Sequence, residues 1–159
     1  SWFRDTGYAQ LIEEIDKTEG SKPIAVIFNL GVNDLGNAGN YVSYMTSIAS
    51  TLKSKNCKLF YMSVNPINST MITKAGRGAR TEAQVREFNS KIRSGLSLDY
   101  KYIDMYSVLM KKGYGTNASY NGTDADSDDG LHYTTKTFKR IYYYCITYLN
   151  TGSINASYY

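Results

Sequence analysis

Apolar positions along the chain alternate between a helical and an extended period. Tyr8, Leu11, Ile12 and Ile15 recur at i, i+3, i+4 and i+7, the stripe of an amphipathic helix that should end near Gly20. Pro23 then opens residues 24–30, a β-branched and aromatic run expected of a strand buried on both faces. Residues 31–39 contain three glycines and read as a loop. Asn40 is placed to cap a helix with Tyr41, Tyr44, Met45, Ile48, Ala49 and Leu52 on its apolar face. Residues 58–64 predict a second strand and residues 65–80 a long polar loop. Thr81 and Gln84 have the spacing of a capping box ahead of Val85, Phe88, Ile92 and Leu96. Residues 102–105 predict a short third strand, 106–111 a short helix and 113–133 another long loop. A last helix is expected from about Thr134, burying Phe138, Ile141, Cys145, Ile146 and Leu149, followed by a frayed tail from Gly152.

Repeated strand–helix units imply an α/β fold with a parallel sheet, crossover connections and helices on both faces. Three strands are thin for that architecture, and the first would be an open apolar edge. Residues 1–151 are therefore expected to be the C-terminal portion of one larger domain, with residues 152–159 a tail. The expected remainder is one or two βα units of roughly 30 residues each.

Composition narrows the class without naming a chemistry. The chain has 159 residues, 42% hydrophobic and 20% charged, which excludes wholesale disorder and collagen-like or coiled-coil character. Its longest purely apolar run, residues 24–28, is far below the ~20 residues of a membrane span. The opening Ser-Trp-Phe-Arg-Asp is not a signal peptide, and a mature secreted protein would lack one too. Lys and Arg number 18 against 14 Asp and Glu, spread along the chain. That is not the basic stripe of a nucleic-acid binder, so no nucleic-acid partner is expected. Tyrosines number 16 against 5 Phe and 1 Trp. They suit half-buried faces, sugar-binding surfaces and interfaces, or simply stand in for phenylalanine. Cys57 and Cys145 allow one bridge or two buried thiols and have no metal-type spacing. The sequons at Asn68, Asn117, Asn121 and Asn155 matter only in a eukaryotic secretory pathway.

In open parallel sheets ligands sit beyond the carboxyl ends of the strands, here the loops 31–39, 65–80 and 113–133. Gly31-Val32-Asn33-Asp34 fits a capped turn, or a close backbone approach with the Asn33 amide aimed at a developing oxyanion. His132 is the only histidine in the chain and follows Asp129 by three residues. It is either a surface histidine or a base whose Nδ1–H is held by Asp129 and whose Nε2 is free. Asp124, Asp126 and Asp128 share the 1-3-5 spacing of a calcium loop, but Asp129 stands where glycine is needed and Thr135 where glutamate is. Lys74, Arg77 and Arg80 flank Gly76 and Gly78. They offer an anion cradle without a phosphate-loop signature, and a solvated loop is the expected outcome.

Gly31-Val32-Asn33-Asp34 after a strand and Asp129-Gly130-Leu131-His132 before the last helix, about a hundred residues apart, together resemble two blocks of the SGNH (GDSL-type) hydrolase family. The resemblance implies a flavodoxin-like αβα sandwich. It makes Asn33 an oxyanion-hole amide, His132 the general base, Asp129 its orienting carboxylate, and Gly31 and Asp34 structural residues of their loop. The family's Gly-Asp-Ser nucleophile block is absent from this chain. The resemblance therefore implies a serine esterase whose nucleophile lies in a missing N-terminal segment or companion chain. It further implies a small acyl or acetyl ester substrate, carried by a carbohydrate or cell-envelope glycan, no cofactor or metal, and an extracellular or cell-envelope location in a bacterium. The alternative is a non-catalytic glycan-binding or pseudo-enzyme module using the same cleft.

Overall fold

The computed structural model describes residues 2–18, 20–114 and 129–155. Its element order is α1 (Tyr8–Lys17), β1 (Ile24–Phe28), α2 (Ala38–Ser54), β2 (Cys57–Met62), α3 (Ser69–Lys74), α4 (Glu82–Gly95), β3 (Lys101–Ile103), α5 (Met105–Lys111) and α6 (Thr135–Thr151). A wide helical turn, Phe3–Gly7, leads into α1. The three strands form one parallel sheet in the order β1-β2-β3. Ile24 stands opposite Cys57 and Phe28 opposite Tyr61, and Met62 stands opposite Ile103.

Strand alternation divides the core in two. Val26, Phe28, Leu59 and Tyr61 face α1, α2 and α4. Phe60, Met62 and Ile103 face α5 and α6. The expected parallel sheet with helices on both faces is thus present. Continuous burial of β1 is not. Val26 and Phe28 are buried, but Ala25 is exposed and Ile27 only half-buried on the α6 side. The reason is position: among the described residues β1 pairs with β2 alone and forms an edge.

Several local expectations shift for identifiable reasons. α2 begins at Ala38 with Asn37, not Asn40, at its N-cap, because a tight helical turn at Leu35–Asn37 carries the chain straight into it. Residues 65–80 are not all loop: Asn68 caps the short helix α3 by accepting from the Met71 N–H. The third strand stops at Ile103 because Asp104 turns its carboxylate to the Ser107 N–H and caps α5. In α6, Ile141 and Cys145 are buried as expected, but Phe138 is 51% exposed and Ile146 36% exposed. Thr137 and Tyr144 take the inner face instead, rotating the buried stripe. The capping box at Thr81 and Gln84 is present in full.

Most of the described tyrosines serve packing. Phe3, Tyr8, Phe28, Tyr44, Tyr61 and Tyr100 form a chain of edge-to-face rings on the α2 side. Buried hydroxyls find backbone acceptors, Tyr61 on the Leu30 carbonyl and Tyr100 on that of Met45. Burial pushes both phenols upward from their ordinary pKa. Cys57 and Cys145 are free and buried, on opposite faces of the sheet, which excludes a bridge between them.

Candidate functional site

The loop after β1 is built on a glycine. Gly31 has φ +116°, and a Cβ there would lie 2.4 Å from the Phe88 ring. No larger residue fits without moving a ring that is fully buried. The Asp34 N–H closes the turn on the Gly31 carbonyl at 2.8 Å. Asp34 also faces Tyr41, whose phenol is pushed up to about 12 by burial and by that carboxylate. Asn33 is exposed, and its Oδ1 accepts from Arg80 Nη2 at 2.9 Å.

The loop before α6 is likewise pinned at a glycine. Gly130 has φ +75°, and a Cβ there would sit 2.6 Å from the Asn68 carbonyl oxygen and 2.9 Å from the Ile72 nitrogen. The Asn68 N–H in turn donates to the Gly130 carbonyl at 2.9 Å. Tyr133 donates its hydroxyl to the Pro66 carbonyl at 2.5 Å. These contacts dock the segment 129–133 onto the start of α3.

Asp129 is buried, and each of its oxygens has work. Oδ1 accepts from the backbone N–H groups of Leu131 and His132, both at 2.9 Å. Oδ2 lies 2.7 Å from Nδ1 of His132. Arg77 Nε stands 3.6 Å from the same oxygen. The His132 side chain is 70% exposed while that of Asp129 is 12% exposed. A carboxylate whose oxygen can only accept sets the proton of the neutral imidazole on Nδ1, leaving Nε2 as the open lone pair.

His132 lines an open cleft of ≈ 550 Å³ together with Asn29, Val32, Asn65, Leu131 and Phe138. Asn33 lines an adjoining cleft of ≈ 490 Å³ with Arg77, Arg80 and Gln84, and Val32 belongs to both. Asn29, Val32 and Asn33 follow β1 and Asn65 follows β2, while Leu131 and His132 lie between α5 and α6 in a segment docked on the loop after β2. Asn65 Oδ1 is buried beside the first cleft with no hydrogen-bond partner among the described residues. An unmet acceptor there is stabilised when a donor from water or a ligand reaches it.

Three features of the site are absent from the sequence reading. Arg80 belonged to a loop expected to be solvated, yet it is half-buried and bonds Val32, Asn33 and Arg77. Asn68 was visible only as a sequon, although an Asn ahead of Ser-Thr-Met-Ile is a legible helix cap. Phe138, a core position by helical spacing, instead lines the cleft. The candidate calcium residues Asp124, Asp126 and Asp128 lie outside the described residues. No family model matches the chain, and no curated protein matches it.

Proposed function

We propose that this chain carries the base, acid partner and oxyanion side of a serine esterase of the SGNH type. The observation that carries the reading is the His132–Asp129 pair at 2.7 Å, with the carboxylate buried and the imidazole open to a cleft. The nucleophilic serine is supplied by a segment outside residues 1–159. Its Oγ attacks the ester carbonyl while His132 Nε2 takes its proton. Asp129 stabilises the imidazolium so formed. The Asn33 amide, with backbone N–H groups, donates to the oxyanion. The tetrahedral adduct collapses, the leaving alcohol takes the proton from His132, and water releases the acyl group by the same route.

Two features of the sheet support a flavodoxin-like sandwich completed by such a segment. The order β1-β2-β3 matches the last three strands of the flavodoxin-like order 2-1-3-4-5. The free edge of β1, with Ala25 and Ile27 uncovered, adjoins the sheet face packed by α6, whose Phe138, Tyr142 and Ile146 are exposed at i, i+4 and i+8. A further strand and helix there would bury both. The substrate is a small acyl or acetyl ester, taken up in the open cleft beside His132. Its alcohol is a carbohydrate or cell-envelope glycan, encountered outside a bacterial cell or at its envelope. The glycan does not rest on the tyrosine-rich composition, since most of the described tyrosines pack in or against the core.

The test is hydrolysis of p-nitrophenyl acetate and of acetylated oligosaccharide by the full-length protein, with labelling of its serine by a fluorophosphonate. Turnover with labelling, both lost in His132→Ala, is the expected result. Saccharide binding with neither turnover nor labelling would replace the esterase by a non-catalytic module.

A further inference from the structure

Arg80 is one residue ahead of the Thr81 cap of α4 and reaches the Gly31–Asp34 loop from 47 positions away in sequence. Its Nε donates to the Val32 carbonyl at 3.0 Å and its Nη2 to Asn33 Oδ1 at 2.9 Å. Its Nη1 donates to the Arg77 carbonyl at 2.5 Å, which closes the arginine's own loop around the guanidinium. A guanidinium only donates, so the Asn33 atom that faces it is the oxygen. This settles which way the amide is turned. The Oδ1 contact is the one interaction Asn33's side chain makes among the described residues, which leaves both Nδ2 hydrogens uncommitted.

An asparagine χ2 torsion is broad and roughly two-fold, so an unheld exposed amide samples both orientations. In one, Nδ2–H meets a developing negative charge and stabilises it. In the other, Oδ1 meets that charge and repels it. We infer that Arg80 is a positioning residue that locks the Asn33 amide with its N–H groups turned to the reacting carbonyl. This rests on the esterase reading of Asn33. The planar fork is what the task requires, because one group must reach a backbone carbonyl and a side-chain oxygen together. A lysine ammonium is a point charge on a flexible stem and does not fix both in one plane.

The test is a double-mutant cycle in the full-length protein, joined to an NMR measurement that needs no turnover. Asn33→Ala should lower kcat roughly 10²–10³-fold. Arg80→Ala should lower kcat about 10²-fold with KM changed less than about twofold, because only the transition state carries the oxyanion. The double variant should be no slower than Asn33→Ala, and Arg80→Lys should not restore the rate. In ¹⁵N spectra, the Asn33 Nδ2 and its two protons should stand away from free-amide shifts and move toward them in Arg80→Ala. Additive losses, or a raised KM at unchanged kcat, would overturn the inference by placing Arg80 on substrate. An intact kcat in Arg80→Ala alongside a slow Asn33→Ala would also overturn it. A full-rate Asn33→Ala defeats the esterase reading of Asn33 instead. The amide spectrum then decides separately whether Arg80 holds the side chain, and an unchanged spectrum in Arg80→Ala says that it does not.

Discussion

The two loops that build the site are held in opposite ways. The Gly31–Asp34 loop is fixed from below: its glycine rests on the buried Phe88 ring, and Tyr61 bonds the Leu30 carbonyl just before it. Its chemistry-bearing residue, Asn33, is then turned by a side chain from another element. In the Asp129–Tyr133 loop the chemistry-bearing residue is held from within, since Asp129 gathers two N–H groups of its own loop and the His132 ring, while Asn68 and Pro66 dock the loop from outside. Its glycine presses on the start of α3, against the Asn68 carbonyl, the Ile72 nitrogen and the Met71 Cβ. The Asn33 amide is thus held by a neighbour, while the His132 ring is held at one nitrogen only.

The sharpest break of this comparison is His132→Ala. On the proposed esterase reading it should lower kcat of the full-length protein by at least about 10³-fold. Its unfolding free energy should fall by no more than about 1.5 kcal/mol, the worth of the one hydrogen bond to Asp129, since the ring is otherwise exposed. Chemical denaturation beside steady-state rates checks both. A comparable fall in stability would make His132 a structural residue.

Gly31→Ala and Gly130→Ala should each destabilise by about 3 kcal/mol, combining positive-φ strain with overpacking. They should differ in kind. The first displaces the Phe88 ring, which relaxes in part when Phe88→Leu is added. The second meets backbone atoms, Asn68 O and Ile72 N, and no side-chain change should rescue it. Midpoints of urea unfolding for Gly31→Ala, Gly31→Ala with Phe88→Leu, and Gly130→Ala separate the cases.

Alkaline pH should attack the first loop's supports. Tyr41 beside Asp34 and the buried Tyr61 beneath Leu30 both have phenol pKa values raised by burial, Tyr41 to about 12. An acid whose folded pKa is raised keeps its proton longer when folded. Its contribution is therefore complete below the unfolded value near 10 and lost as pH climbs from 10 toward 12. The part of the phenolate absorbance that is lost in Tyr41→Phe and Tyr61→Phe should accordingly rise only with unfolding. Phenolate from these two rings near pH 10 in a still-folded protein would contradict their burial.

The smallest effect is expected at the cap next to Arg80. Thr81→Ala removes the acceptor for the Gln84 N–H and should cost about 1 kcal/mol. Because the cap adjoins the guanidinium, it should also slow the proposed ester hydrolysis more than an equally destabilising change in α1. Thermal melts paired with kcat measure the difference.

How far the sequence reveals these loops follows from what each depends on. The strands and the long helices were legible because their apolar periods are local. So was the capping box, whose partners are three residues apart. Asp129 and His132 were legible for the same reason, a spacing of three within one loop. Arg80 was not, because a contact across 47 positions leaves no period. Phe138 misled because helical spacing fixes a stripe but not its rotation against the sheet, and α6 turned Thr137 and Tyr144 inward. The one-sided burial of β1 was hidden likewise, since which face of a strand is covered depends on elements packed from elsewhere.

The central claim is that Asp129 sets His132 as a base with Nε2 open. It is tested most directly by ¹⁵N NMR of the imidazole ring at a pH where it is neutral, its signals identified by their loss in His132→Gln. The account predicts the Nδ1–H tautomer, with Nε2 unprotonated, and reversion toward the Nε2–H form in Asp129→Ala. A neutral ring protonated at Nε2 in the unsubstituted protein would contradict it.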